Sequence, residues 1–322
     1  MAVFNGETTG KEIIATFANN VRGKAVLITG SSQGSLGAET AKQLASAKHL
    51  ILAGRNESKI TPVLNEIRER NPEAKTTFVQ VDLANNESVR HAAAKINTLA
   101  DLDRLDIIIN AAGNMAVRTY QTSADGVELQ FAANYLGHFL LTNLVIDKLL
   151  VAPAPTVVNL TSMGYELGEC NFEDPNFQGG KTYNPWSAYA QAKTANILHA
   201  AGLRYRFGDK GLAAFAVHPG YIPESQLQTN SGVDMDLMME GYKMAVARND
   251  GKDVPPQTPR SLQEGCATIL LAALDPSLRD ESPALLLECN VYPGVKDYAI
   301  TVTNAEKLWT LGEKLTGLQQ SL

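Results

Sequence analysis

Ala25 to Ile28 is an apolar run of strand type, and the glycine-rich turn Gly30-Ser31-Ser32-Gln33-Gly34-Ser35-Leu36-Gly37 follows it almost at once. Ala38 to Leu44 then reads as the first turns of a helix. A strand, a glycine turn and a helix start, in that order, build an anion site. Glycine lets the backbone approach a phosphate, and the helix N-terminus offers free N–H groups and a positive dipole end. Ser31, Ser32 and Ser35 add hydroxyl donors. Taken alone the turn also serves as an ordinary strand-to-helix connection, so its meaning depends on the rest of the chain.

The rest alternates. Leu50 to Ala53, Thr76 to Val81, Leu105 to Ile109, Thr156 to Leu160, Ala213 to Val217 and Ala284 to Cys289 read as further strands. Helical spacing covers 10–20, 57–70, 87–99, 125–150, 187–207, 261–274 and 304–315. Near-continuous apolar strands separated by helices predict an α/β fold: one Rossmann-type doubly wound parallel sheet of about seven strands with helices on both faces. No Pro/Ser/Gly linker divides the chain, so residues 1–322 are expected to form one domain, with an N-terminal extension over 1–22. Ligands of such sheets sit outside the carboxyl ends of the strands. Gly30, Arg55, Asp82, Asn110, Ser162 and Pro219 all follow predicted strands, which points to one continuous site.

At 44% hydrophobic and 19% charged, the 322 residues supply ample material for one large core. A formal net charge of −6 argues against a nucleic-acid partner. Cys170, Cys266 and Cys289 show no metal-ligand spacing and read as reduced thiols of a cytoplasmic protein; no metal is expected. Met1 to Glu7 lacks the basic and apolar regions of a signal peptide. No apolar run reaches the ~18 residues of a membrane span, and Gln320-Ser321-Leu322 is not a peroxisomal address.

Tyr189-Ala190-Gln191-Ala192-Lys193 carries the chemistry. Four residues make about one helical turn, so both side chains share a face. A free phenol titrates near ~10, and a neighbouring ammonium is expected to lower that value and fit the tyrosine for proton exchange with an alcohol or carbonyl oxygen. By itself the spacing is a common surface pair.

Thr29-Gly30-x-x-x-Gly34, Asn110-Ala111-Ala112-Gly113 and the Tyr189/Lys193 pair, with Ser162 and Asn134, resemble the short-chain dehydrogenase/reductase family. Asp125-Gly126-x-Glu128, Asn134 to Phe139 and Lys307-Leu308-Trp309 resemble its retinol-dehydrogenase-like and fungal secondary-metabolism branches. The chain departs from the family in three places. Gly37 comes one residue late, Ala111 replaces a second Asn, and the insert Met163 to Trp186 lengthens the interval from Ser162 to Tyr189.

The resemblance implies a catalytic set of Asn134, Ser162, Tyr189 and Lys193. Ser162 would steady the substrate oxygen, and Asn134 would hold a water or backbone turn linking Lys193 to solvent. It also implies cofactor contacts at Gly30, Ser32, Gly34, Leu36, Arg55, Asp82, Leu83, Asn110, Ala111, Gly113, Tyr189, Lys193, Pro219, Gly220 and Ile222. Gly54 stands where NAD-selective relatives carry an acid, and Arg55 follows; a guanidinium pairs with a 2′-phosphate, so NADP(H) is the expected cofactor. A solvated surface arginine is the alternative. The resemblance implies that the Ile222 backbone contacts the nicotinamide carboxamide; Ser225 is a candidate for the Thr the family usually carries a few residues on, and His218 reads as structural.

The expected function is therefore an NADP(H)-dependent alcohol dehydrogenase or carbonyl reductase acting on a small to medium apolar molecule, a secondary-metabolite intermediate among the candidates. The alternatives are a cofactor-binding sensor without turnover, or a relative that epimerises, dehydrates or cyclises its substrate. The family implies a homodimer or homotetramer. Residues 225–260, holding Met235, Met238, Met239 and Met244, are expected to form a substrate lid, since methionine repacks around varied apolar ligands. The other reading of that stripe is the core face of an amphipathic helix.

Overall fold

A computed structural model describes residues 3–318, so Met1-Ala2 and the terminal Gln320-Ser321-Leu322 lie outside the described residues. Along the chain, α1 (Gly10–Val21) leads to β1 (Ala25–Thr29), α2 (Leu36–Gln43), β2 (His49–Gly54), α3 (Glu57–Arg70), β3 (Lys75–Gln80), α4 (Asn86–Asn97) and β4 (Ile107–Asn110). A broken helix follows: α5 (Leu129–Phe131), a π-helical stretch (Ala132–Leu136), α6 (Gly137–Leu144) and α7 (Ile146–Leu150). Then come β5 (Thr156–Leu160), α8 (Pro185–Phe207), β6 (Ala213–His218), α9 (Gln226–Thr229), α10 (Met235–Arg248), α11 (Leu262–Leu274), β7 (Ala284–Leu287), β8 (Asn290–Val291) and α12 (Val302–Thr316).

The strands form a single sheet in the order β3-β2-β1-β4-β5-β6-β7-β8, parallel except for the β7–β8 pair. Side chains alternate between its faces. Leu27, Ile51, Ile108 and Val157 share a core with α4, α6, α8 and α12. Val26, Ile28, Leu50, Leu52, Ile107 and Ile109 share the other with α1, α2, α3 and α11. Both faces of the central strands are covered, which is why β1, β2, β4, β5 and β6 carry no polar alternation, whereas the edge strand β3 is polar and only partly buried. The order reverses between β1 and β4, and the carboxyl ends of those two strands are where such a sheet holds its ligand.

The N-terminal helix belongs to one of these layers. Thr9 and Glu12 form a capping box at its start, and Ile13 and Val21 are fully buried in the core shared with α11. Each such aliphatic contributes about 1.5–3 kcal/mol.

Two expected elements change. The seventh strand stops at Leu287, because Glu288 and Cys289 have φ of 51° and 61° and turn the chain into the short antiparallel β8. Two positive-φ residues between paired strands make a tight hairpin normally built from Asn and Gly. Here tertiary contacts hold it: Glu288 pairs with Arg260, and Cys289 N donates to Thr268 Oγ1. The helix expected from Asp125 begins instead at Leu129. Gly126, at φ +76°, closes a turn first, and Glu128 caps the helix by accepting from Gln130 N at 2.9 Å and Phe131 N at 2.8 Å.

Candidate active site

The glycine turn packs without side chains. Gly30 and Gly34 hold φ of +70° and +79°. A Cβ on Gly30 would lie 2.6 Å from Ala112 Cα, and one on Gly37 would lie 2.6 Å from the Gly30 carbonyl oxygen. Strand end, loop and helix start therefore touch through backbone, despite the extra residue in the loop. Ser35 caps α2, accepting from Ala38 N, and donates to Gly30 O at 2.6 Å. Ser31 donates to Ile28 O. Of the three serines expected to offer hydroxyls, only Ser32 keeps one without a protein partner among the described residues; the other two are spent on the turn. Leu36 opens α2, with its side chain against the core. This bare backbone concavity at a helix N-terminus fits a dinucleotide pyrophosphate.

Arg55 is exposed at the end of β2 and lines an open cleft of about 550 Å³ with Asn56, Glu57, Lys59, Phe78 and Gln80. Lys59, a second cation beside Arg55, was not anticipated from the sequence; its spacing of four from Arg55 was the available signal. Asp82 accepts from Ala84 N through Oδ1, while the cap of α4 falls to Asn85. Leu83 is buried, its carbonyl against Gly137.

At the end of β4 the expected contacts divide. Asn110 turns inward and is buried: its Nδ2 donates to Asn159 Oδ1 at 2.8 Å and Thr142 Oγ1 at 3.2 Å. Ala111 N and Ala112 N donate to Thr29 Oγ1 at 3.0 and 3.1 Å. Gly113 is exposed; a Cβ there would lie 3.0 Å from Asn134 Oδ1 and 3.6 Å from Lys193 Nζ. Asn134, on the π-helical stretch, grips Asn114 twice, accepting from its N at 2.8 Å and donating to its O at 2.9 Å. π-bulges of this kind re-aim side chains at functional sites.

Tyr189 and Lys193 lie one turn apart on α8, whose N-cap is Asn184. Every residue from Ala188 to Leu203 is buried, so the pair is not a surface couple. Ser162 follows β5, its Oγ accepting from Gly164 N at 3.0 Å. Tyr189 and Ser162 flank Gly164, where an added Cβ would lie 3.0 Å from Tyr189 Cε1 and 3.3 Å from Ser162 Oγ. Lys193 Nζ donates to Leu160 O at 3.2 Å and sits 5.5 Å from the Tyr189 ring centre. Burial pushes the Tyr189 phenol up to about 12, against the Ser162 hydrogen bond, and pushes Lys193 down to about 8. The expected lowering of the phenol by the ammonium is therefore reversed. Desolvation outweighs a cation aimed at a backbone carbonyl rather than at the phenol oxygen.

Pro219 and Gly220, at φ +89°, end β6, and Ile222 buries its side chain against Gly265, leaving its backbone to face the site. Ser225 is spent as the cap of α9. His218 is buried, pushed down to about 4 by desolvation, and lines a cavity of about 200 Å³ with Met163 and Tyr221.

A family model described as short chain dehydrogenase matches residues 24–236. The chain belongs to the short-chain dehydrogenase family. It is 34% identical to human retinol dehydrogenase 11 over 306 residues, covering 95% of this chain and 89% of that protein. It is 32% identical to the short-chain dehydrogenase/reductase prx1 of Penicillium roqueforti over 317 residues, covering 94% and 87%. The crystal structure of an uncharacterized protein from Mycobacterium paratuberculosis superposes with a TM-score of 0.69 at 30% identity, covering 94% of this chain and 96% of that one. The resemblance to the retinol-dehydrogenase-like and fungal branches thus holds over most of the chain. This short-chain dehydrogenase is an oxidoreductase, in a family that uses an NAD(P) nucleotide. Among the described residues, no helix is long and apolar enough to cross a membrane, and no cluster of ligating side chains could hold a metal.

Proposed function

We propose that this enzyme is an NADP(H)-dependent carbonyl reductase or alcohol dehydrogenase acting on a small to medium apolar molecule. The buried Tyr189–Lys193 pair beside Ser162, at the strand ends that carry the glycine cradle, supports this reading best. NADP(H), when bound, supplies the hydride chemistry. Residues 30–36, with the Ser32 hydroxyl, would hold its pyrophosphate. Arg55 and Lys59 would take the 2′-phosphate, Asp82 and Leu83 the adenine, and Pro219, Gly220 and the Ile222 backbone the nicotinamide. Tyr189, a neutral phenol at rest, donates its proton to the carbonyl oxygen, and Ser162 donates a hydrogen bond to the same oxygen as charge develops. Lys193 reloads the tyrosine. Buried or half-buried thiols suit a cytoplasmic enzyme.

Residues 225–260 serve as the lid. Met235, Met238 and Met239 are 72%, 42% and 46% exposed and Met244 is half-buried, while Leu237 and Gly241 form the packed face of α10, which favours the lid over the core reading of the methionine stripe. The segment is tied at both ends of the site. Gln226 N donates to Gly34 O at 3.1 Å, and Trp186 Nε1 donates to Leu237 O at 2.6 Å. The Trp186 ring stands edge-on to Tyr189, centroids 6.1 Å apart.

Removing only the phenolic hydroxyl tests the assignment. Tyr189→Phe should retain NADPH binding and lose about 10²–10⁴-fold in kcat on a ketone. Turnover near wild type would move the acid elsewhere.

A further inference from the structure

We propose that His138 is a positioning residue that joins the nucleotide cradle to Asn134 through one fixed tautomer. The proposal rests on the reading of Asn134 as part of the catalytic set. His138 lies at the start of α6 and is buried. Its Nδ1 stands 2.9 Å from the Asn134 carbonyl oxygen, and its Nε2 stands 2.8 Å from Thr29 Oγ1. A carbonyl only accepts, so Nδ1 carries the hydrogen and Nε2 is the bare nitrogen. Thr29 agrees from the other side. Its oxygen already accepts from Ala111 N and Ala112 N, so its one hydrogen is free to go to Nε2.

The result is a closed circuit. Thr29 pins the loop after β4 at Ala111 and Ala112, and Asn134 pins the same loop at Asn114. His138 ties the two pins together. Gly113 hangs between them, facing Lys193. A shift at the end of β1, where the cradle begins, therefore reaches Asn134 by two routes, the loop 111–114 and the His138 imidazole, and the imidazole is the direct one. Because the π-helical stretch displaces the ordinary helical ladder here, the ring contact to the Asn134 carbonyl holds that backbone in place.

Two isosteres separate the halves of the strut. In His138→Gln the side-chain oxygen can still accept from Thr29, but the donor to Asn134 is gone. In His138→Asn the amide can still donate to Asn134, but the acceptor for Thr29 is gone. The assays are NADPH Kd by calorimetry, kcat on a ketone at saturating NADPH, and the ring tautomer by ¹⁵N NMR. His138→Gln should lose about tenfold in kcat, the worth of one buried hydrogen bond, with NADPH affinity nearly intact. His138→Asn should recover most of that kcat while NADPH binds about tenfold more weakly. The wild-type ring should carry its hydrogen on Nδ1. Parallel losses of kcat and affinity in both variants, or a hydrogen on Nε2, would overturn the strut. A wild type inactive on every ketone would instead sink the catalytic reading, and the tautomer would still decide the strut.

Discussion

Lowering the pH from 7.5 to 5 should weaken this fold by about 6 kcal/mol. His49, His138, His199 and His218 are buried, and desolvation holds their rings at about 4, about 4, about 3 and about 4 against an ordinary 6.5. His199 is the clearest case. Its Nδ1 accepts from Asn159 Nδ2 at 3.2 Å, its Nε2 has no partner, and the rings of Tyr135, Phe139 and Trp309 surround it. The unfolded chain takes up protons below pH 6.5, whereas the folded chain does not until about 4. Stability from each group is thus complete above 6.5 and falls as the pH drops. At 1.36 kcal/mol per unit, 1.5 units remove about 2 kcal/mol per ring and about 8 in all.

Glu128 opposes this. Burial raises its carboxyl to about 7, against the two backbone N–H groups it caps. Its charged form is penalised at neutral pH, and protonation on the way to pH 5 returns about 2 kcal/mol. The histidines win, by an amount comparable with the whole stability of many domains. Urea unfolding at pH 7.5, 6 and 5 measures the slope, and His199→Asn, which keeps an acceptor at the Nδ1 position, isolates one ring. Any cavity it leaves shifts the curve uniformly, so the test is the slope, which should flatten by about 2 kcal/mol over the interval. Equal stability at pH 7.5 and 5, or parallel slopes for wild type and variant, would refute the reasoning.

Arg55→Ala should raise the Kd of NADPH about tenfold or more while leaving that of NADH nearly unchanged, since only the 2′-phosphate is lost; equal effects on both, read by calorimetry, would remove Arg55 from that role. Because the Tyr189 phenol sits at about 12, the rate of alcohol oxidation should climb steadily from pH 7 to 9 while carbonyl reduction stays flat; an oxidation rate already level at pH 7 would contradict a buried neutral acid. Hydrogen exchange in residues 226–248 should be fast in the free enzyme and slow when NADPH and substrate are both present, whereas equal protection throughout would make α10 a fixed cover.

Much of the fold was readable because buried parallel strands leave a plain record: Val26 to Ile28, Leu50 to Ala53 and Val157 to Val158 have no room for polar residues on either face. What escaped was local backbone held by distant partners. Glu288 and Cys289 are poor hairpin-turn residues by type, and only Arg260 and Thr268 make their conformation tolerable. Apolar spacing across 125–150 cannot distinguish an α-helical turn from a π-helical one, since both bury the same residues. The site was legible as residue types at strand ends, but not as directions. Nothing in the order of residues says that Asn110 faces inward to Asn159 while Gly113 faces out, or that Ser31 and Ser35 close the glycine turn while Ser32 is left open.

The reversed acidity of Tyr189 has the same origin and shows what the insert 163–186 does. A helix as rich in polar side chains as α8 would ordinarily show some of them to water. Here they are met from the insert and from β5. Gln191 accepts from Asn171 N and donates to Pro175 O, Thr194 donates to Gly168 O, and Asn196 donates to Leu160 O. Each contact satisfies a buried polar group that would otherwise hold that part of the helix at the surface. With Trp186 standing against the Tyr189 ring, the turn carrying Tyr189 and Lys193 is closed off from solvent, and closure favours the neutral form of both. Loosening the insert's hold on α8 would therefore lower the phenol and raise the ammonium together, so the insert sets the strength of the acid beneath it.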